Sequence, residues 1–162
     1  MTNILTVDAA TVTGWATQID GVIESGVQDF SLKRGESPGM RFIRFGDWLR
    51  RMNEIGHGTA DQSESLPGFA IISWEQAHHR GGYATNVGVG LSTRLEEFAA
   101  RIGAETMQVH TSTLKKWATG RGNAGKPEMC AWFKCRTGRD ALTDDEADAL
   151  ALMYYTKAEL GV

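Results

Sequence analysis

Short runs rich in apolar and β-branched residues recur at five places along the chain, and each has the length of a β-strand. Tight turns join the first three runs, which predicts an antiparallel meander. The fourth run is apolar at nearly every position, as is typical of a central strand buried on both faces. The predicted strands cover residues 4–8, 14–19, 22–30 with an interruption at Gly26, 69–75 and 106–109.

Helical spacing separates and follows these strands. Between residues 39 and 55 the apolar side chains recur every three or four positions, with arginines between them. Further helices are predicted at 84–102, at 111–117 with Thr111 or Ser112 as the cap, at 126–136, and from Asp144 onward. The order βββαβαβ followed by helices predicts one α/β domain over residues 1–162, with a mixed sheet and helices on its faces.

The last predicted helix begins with the segment TDDEADALAL, residues 143–152. Asp145 and Asp148 are three residues apart and therefore project from one face of the helix. Acids at a helix N-terminus most often cap the helix in solvent, and we expect that role for Asp144 and Glu146. The alternative for Asp145 and Asp148 is that they hold a cation together with carboxylates from elsewhere in the chain.

Two strands supply such carboxylates, because the first ends on Asp8 and the fourth on Glu75. If these strands are neighbours, both acids lie at the carboxyl edge of the sheet, where ligand sites gather. Four converging carboxylates would repel one another and raise their own pKa values, and divalent cations would relieve this repulsion. Oxygen ligands suit Mg²⁺ or Mn²⁺, and two such ions about 3.5–4 Å apart support phosphodiester hydrolysis.

The charge distribution favours a nucleic-acid partner more than the total charge does. The net charge is −3, yet seven basic residues and one acid lie between residues 110 and 139. A second basic group lies on the first predicted helix and its approach. For each group alone, a solvated face is the simpler interpretation. The first group is Lys115, Lys116, Arg121, Lys126, Lys134, Arg136 and Arg139, and the second is Lys33, Arg34, Arg41, Arg44, Arg50 and Arg51.

Several classes of protein are disfavoured. The chain has no apolar run of membrane-spanning length and no signal-peptide pattern at its start, so we expect a cytoplasmic setting. The thiols Cys130 and Cys135 form no metal-binding motif and fit a reducing compartment. The glycine loop at 119–125 lacks the ending of a P-loop, which disfavours a nucleotide cofactor. An actin-like ATPase is also disfavoured, because it would need a second domain.

Three blocks of sequence resemble one known family. They are LTVD leading to TGW (residues 5–8 and 13–15), IISWEQ (71–76), and TLKKWATGRGNAGKPEM followed by DDEADALAL (113–129 and 144–152). In this order and spacing the chain resembles the RuvC-type Holliday-junction resolvases of the RNase H-like superfamily, in a phage or bacterial version. The resemblance implies an RNase H-like fold, with a five-stranded mixed sheet and helices on both faces.

The resemblance also implies roles for individual residues. Asp8, Glu75, Asp145 and Asp148 match the family's metal-binding carboxylates, and Lys115 and Lys126 match basic residues used near the scissile phosphate. Lys116 and Arg121 lie in the same basic segment and are expected to contact the DNA backbone. The implied enzyme is a homodimer that binds two Mg²⁺ or Mn²⁺ ions per active site. It would cut four-way junctions to leave 5′-phosphate and 3′-hydroxyl ends.

The chain departs from the family's pattern in two loops. The loop after Asp8 lacks the expected Pro-Gly, and His78 stands where the family often has an aromatic wedge. His78, His79 or Tyr83 could stack on a base at the junction centre, with Arg80 beside them, or the His pair could form a polar loop near phosphate. His57 and His110 are expected to be structural or surface residues. Two alternative functions are a broader flap or fork nuclease and a non-catalytic DNA-binding module with the same fold.

Overall fold

The computed structural model describes residues 1–57, 68–77 and 81–162. Within these ranges it has five strands and five helices, alternating nearly as the sequence predicts. None of the described helices is both long and apolar enough to cross a membrane. The elements are β1 Ile4–Asp8, β2 Val12–Ile19, β3 Val22–Asp29, α1 Gly39–Gly56, β4 Ile71–Glu75, α2 Tyr83–Ile102, β5 Glu105–Val109, α3 Thr111–Thr119, α4 Lys126–Thr137 and α5 Asp144–Leu160.

The strands form one mixed sheet in the order β3-β2-β1-β4-β5. The first three strands pair antiparallel, which confirms the predicted meander, whereas β4 is parallel to both β1 and β5. Val7 of β1 lies opposite Trp74 of β4. Because these two strands are parallel and in this register, Asp8 and Glu75 emerge side by side at the same edge of the sheet.

Helices cover both faces of the sheet. On one face the core includes Leu5 and Ile72, together with buried residues of α1 and α2. On the other face Ile4 and Ile71 pack with buried residues of α3, α4 and α5. Side chains alternate between faces along a strand, so Asp8 projects toward the face that holds α5.

Helix α5 lies very close to β1 and β2. The buried Thr6 hydroxyl donates a hydrogen bond to the backbone oxygen of Ala149 at 2.8 Å. A Cβ atom added to Gly14 of β2 would lie 1.9 Å from the backbone oxygen of Asp145. Only a residue without a side chain can therefore stand at position 14. The small residues of α5 allow the close approach that its sequence suggests.

Three local expectations were wrong. Strand β3 is continuous, and Gly26 is needed because the Trp15 ring lies across it, 2.7 Å from where a Cβ would be. The N-cap of α3 is His110, one residue earlier than expected, and its ring accepts a hydrogen bond from the Ser112 N–H. Glu146, expected in solvent, is completely buried.

The tryptophans divide between the core and the surface. Trp48 of α1 and Trp74 of β4 are buried. Trp117 is 37% exposed and packs edge-on against Tyr155 and beside Trp132 on the outer surface of the helical layer. Core packing therefore accounts for some of these rings and not for Trp117.

Candidate metal centre

Three acidic side chains from three elements meet at the carboxyl edge of the sheet. Asp8 ends β1, Glu75 ends β4, and Asp148 lies in the second turn of α5. One carboxylate oxygen from each lies within 4.8 Å of one from each of the others, an arrangement that could hold a metal ion. The parallel pairing of β1 with β4 and the close approach of α5 together produce this convergence.

Asp145 adjoins the same group from the first turn of α5. A side-chain hydrogen bond joins the Asp8 and Asp145 carboxyl groups. Two carboxyl groups can share a hydrogen bond only if one of them keeps its proton. The pair is therefore placed to release a proton when a cation binds. All four acids predicted from the sequence lie together.

Burial is the main cause of the raised pKa values in this group of acids. Desolvation, followed by repulsion from Glu75, raises the pKa of Asp8 well above its usual range and raises that of Asp148 to about 8. Desolvation also raises the pKa of Glu75 and of Asp145. A divalent cation would reverse this effect, because it favours the ionised form of every carboxylate that it contacts.

Two buried oxygens of the cluster support this interpretation. Oε1 of Glu75 and Oδ1 of Asp148 accept no hydrogen bond from the residues that the structure describes. A buried acceptor without a donor costs free energy, and a metal ligand bond would satisfy it. Hard oxygen donors of this kind suit Mg²⁺ or Mn²⁺ better than zinc or copper.

Helix α3 brings two polar groups to the cluster. The Thr111 hydroxyl donates to Oε2 of Glu75 at 2.7 Å and so fixes the orientation of that carboxylate. The charge of Lys115, one turn further along α3, partly offsets the raised pKa values of Glu75 and Asp148. Lys115 therefore lies close enough to act on whatever binds at the carboxylates.

The other predicted basic residues lie further out. Lys126 forms an ion pair with Asp144 at 3.0 Å, and its side chain is 77% exposed. Arg121 lies 3.9 Å from Glu128 in an exposed pair, and Lys116 is exposed. All three residues are exposed, and the ion pair with Asp144 places Lys126 beside the start of α5.

The residues predicted to meet a branch point are only partly described. His78, His79 and Arg80 lie outside the described residues. Tyr83 begins α2 with its side chain exposed, and its hydroxyl accepts a hydrogen bond from the buried Arg41 at 3.0 Å. The buried Arg41 therefore holds the Tyr83 ring at the surface.

A cavity opens beside the carboxylates. It has a volume of about 300 Å³, and Asp8 and Glu75 lie in its wall. Most of the remaining wall consists of small side chains from the β1–β2 turn, from the end of β4 and from the start of α2. These small residues leave room for part of a substrate next to the acids. They include Ala9, Ala10, Ala77, Gly81, Ala84 and Gly88.

Sequence reasoning missed several residues that shape this site. Thr111 was predicted only as a helix cap, although its place directly after β5 puts it at the carboxyl edge of the sheet. Gly14 carried no signal, because a glycine in a strand does not reveal which helix approaches it. Glu146 was indistinguishable in sequence from the other acids of the helix start.

Substituting Gly14 with alanine is expected to displace the first turn of α5. The added methyl would overlap the Asp145 backbone, which cannot rotate away as a side chain could. We expect a loss of about 1–3 kcal/mol in the free energy of unfolding. In a thermal melt this corresponds to a drop of roughly 2–12 °C.

Gly46→Ala is the matched control, because a Cβ there meets no other described atom within 4 Å. Gly46 lies inside α1, so alanine should stabilise the helix by about 0.5–1 kcal/mol. Equal melting temperatures for both variants would show that α5 does not approach β2 as closely as described.

Comparison with solved structures identifies the type of fold. The chain superposes on the Thermus thermophilus RuvC structure with a TM-score of 0.68 at 16% sequence identity, covering 98% of this chain and 96% of that one. It also superposes on T. thermophilus RuvC in complex with a Holliday junction substrate, with a TM-score of 0.72 at 15% identity, covering 98% and 97%. The predicted RNase H-like fold of RuvC type is therefore confirmed along nearly the whole chain. The sequence matches no family model and no curated protein.

Proposed function

We propose that this chain is an endonuclease that cuts four-way DNA junctions by metal-dependent hydrolysis, leaving 5′-phosphate and 3′-hydroxyl ends. The observation that carries the proposal is the convergence of Asp8, Glu75 and Asp148 at one edge of the sheet. The fold that holds them is similar over almost its full length to that of T. thermophilus RuvC in complex with a Holliday junction substrate. We treat residues 1–162 as one nuclease domain.

Asp8, Glu75, Asp145 and Asp148 would hold two Mg²⁺ or Mn²⁺ ions. When bound, these ions would activate water and stabilise the leaving oxygen of an in-line displacement. The chain itself supplies orientation, since the Thr111 hydrogen bond fixes Glu75 and the first two turns of α5 fix Asp145 and Asp148. The raised pKa values mean that metal binding is accompanied by proton release, so metal affinity increases with pH.

Basic residues around the carboxylates would hold the DNA backbone. The charge of Lys115 acts on Glu75 and Asp148, and its place beside the cluster suits a contact with the phosphate to be cut. Lys116, Arg121 and Lys126 would bind flanking phosphates. Lysines act as point charges on phosphate, so they contribute affinity without sequence information.

Paired cutting of a two-fold symmetric junction would need two active sites. A homodimer would present two such sites to a two-fold symmetric junction, and each would cut one strand. The exposed ring of Tyr83, anchored by Arg41, is a candidate to stack on an unpaired base at the branch point. We extend the proposed DNA contact to His78, His79 and Arg80, which precede Tyr83 in the chain.

The proposal is tested by comparing cleavage of a four-way junction, a flap and a linear duplex, each with and without Mg²⁺. We expect paired, symmetric nicks in the junction only, and only with the metal. Cleavage of flaps and forks at similar rates would favour a broader branched-DNA nuclease. Binding without cleavage of any substrate would favour a non-catalytic module.

Replacing Lys115 or Lys126 with alanine is expected to weaken cleavage and to reduce the salt dependence of junction binding. Each phosphate contact contributes about 0.9 to the slope of log affinity against log salt. Each variant should therefore lose roughly one unit of slope, measured by fluorescence anisotropy with a labelled junction over a range of salt concentrations.

Lys157→Ala provides the comparison. Lys157 contacts Gln18 near the far end of α5, roughly 18 Å from the acidic end at the rise of an ideal helix. Its slope should match that of the wild type. If Lys115→Ala keeps the full slope as well, then Lys115 does not contact a phosphate.

A further inference from the structure

Glu146 is a buried acid that the proposed chemistry does not use. It lies between Asp145 and Asp148 in sequence, but its side chain is 0% exposed and points to the opposite side of α5. There it meets β3 and the loop before α5 instead of the metal-binding acids. An ionised group without solvent needs a complete set of donors, and Glu146 has one.

Three residues donate to the Glu146 carboxylate. The Ser25 hydroxyl of β3 donates to Oε1 at 2.8 Å, and the Leu142 N–H donates to Oε2 at 2.7 Å. The Arg139 guanidinium spans both oxygens, at 2.5 Å to Oε1 and 3.2 Å to Oε2. Arg139 also donates to the Ser25 hydroxyl at 3.2 Å, so the network is closed.

This network joins parts of the chain that are far apart in sequence. Ser25 belongs to the edge strand β3, Arg139 follows α4, and Leu142 directly precedes the N-cap of α5, Thr143. The Thr143 hydroxyl in turn accepts from the Glu146 N–H at 3.3 Å. The first turn of α5 is thus fixed to the sheet edge on one side, while Asp145 and Asp148 reach the metal centre on the other.

We propose that the Glu146–Arg139–Ser25 network is a positioning device that sets the rotation of α5 and thereby aligns Asp145 and Asp148 for metal binding. Close packing and the Thr6–Ala149 hydrogen bond hold the body of α5 on the sheet, and the Glu146 network adds directional contacts at the end of the helix that carries Asp145 and Asp148. A ligand set works only when its members are held within about 0.5 Å of the productive geometry. This inference rests on the proposed function, because it assumes that Asp145 and Asp148 bind the metal.

The test measures Mn²⁺ binding to the full-length protein by electron paramagnetic resonance, well below the melting temperature. In Glu146→Gln the amide group would place N–H donors against Arg139 or the Leu142 N–H, which breaks the network while the shape is kept. We expect the affinity for Mn²⁺ to fall roughly tenfold, as is usual when a partner that orients metal ligands is lost. The Mg²⁺ concentration for half-maximal junction cleavage should rise by the same factor, and junction affinity should not change.

Further variants separate positioning from simple stabilisation. Arg139→Lys should recover part of the Mn²⁺ affinity that Arg139→Ala loses, because it keeps the charge. The double variant Glu146→Gln/Arg139→Ala should lose no more than the worse single variant, as expected for members of one network. Glu159→Gln, an exposed acid on the same helix, should bind Mn²⁺ like the wild type.

If Glu146→Gln melts at a lower temperature but binds Mn²⁺ as tightly as the wild type, the network only stabilises the fold and the proposal is overturned. Should Glu146→Gln fail to fold, Ser25→Ala decides, since it removes one hydroxyl. A measurable loss of Mn²⁺ affinity supports the proposal, and unchanged affinity overturns it. A wild type that binds Mn²⁺ but cuts no junction would refute the proposed function while the affinity comparison still decides the positioning role.

Discussion

Asp8→Asn is expected to abolish junction cleavage, with a loss of roughly 10³-fold or more in rate. Asp8 is the acid at the centre of the group, because it faces Glu75 and Asp148 and shares a hydrogen bond with Asp145. Asparagine keeps the size of the side chain but offers one neutral oxygen, which is too weak a ligand for two divalent cations. Glu75→Gln and Asp145→Asn should have the same effect.

Junction binding should survive these changes within about twofold, because the phosphate contacts that we propose come from lysines and arginines rather than from the acids. Single-turnover cleavage and anisotropy titrations of the same preparations measure both quantities. Asp140→Asn is the control, since Asp140 is exposed and pairs with Lys134 away from the cluster. Cleavage by purified Asp8→Asn at a tenth of the wild-type rate would rule out the assigned metal centre.

Much of the fold follows from local patterns. The central strands are marked by apolar runs, and α1 and α2 by helical spacing, so their positions are fixed to within a few residues. The pairing of β1 with β4 is not a local property. The sequence left it as a condition, because Asp8 and Glu75 could meet only if their two strands were neighbours, and the structure shows that they are.

The same reasoning identifies the four carboxylates but not the residues that hold them in place. Asp8, Glu75, Asp145 and Asp148 are visible in sequence because chemistry demands several acids and because each ends a strand or begins a helix. The Glu146 network is invisible because its members are 114 and 121 residues from Ser25, and their contact depends on how α5 rotates on the sheet. Contacts between a helix and an edge strand that are far apart in sequence produce no periodic pattern of residues.

The carboxylate cluster should make the metal-free protein less stable as pH rises. Burial, and then repulsion from Glu75, raise the pKa of Asp148 to about 8 in the folded chain. In the unfolded chain an aspartate titrates near pH ~4. Between these two values the folded chain binds the additional proton, so stability is present in full at about pH 4 and is lost progressively as pH approaches about 8.

Asp148→Asn should therefore stabilise the metal-free protein while destroying its activity. Asparagine has no proton to lose, so the variant escapes the cost of ionising a buried acid. Each pKa unit corresponds to about 1.4 kcal/mol, and we expect a gain of about 2 kcal/mol or more at about pH 8 and almost none at about pH 4. Thermal melts in the presence of a chelator should show an increase of roughly 4–8 °C at the higher pH.

At saturating Mg²⁺ the order of stability should reverse, so that the wild type melts at a higher temperature than Asp148→Asn. The metal should bind the folded wild type and stabilise it by mass action, whereas the variant would lack one of the proposed ligands and gain less. Asp140→Asn, which changes an exposed acid, should melt at the same temperature as the wild type at every pH, both with the chelator and with Mg²⁺. If Asp148→Asn melts below the wild type in chelator at about pH 8, the acids are not crowded as described; if Mg²⁺ stabilises both equally, Asp148 is not a ligand.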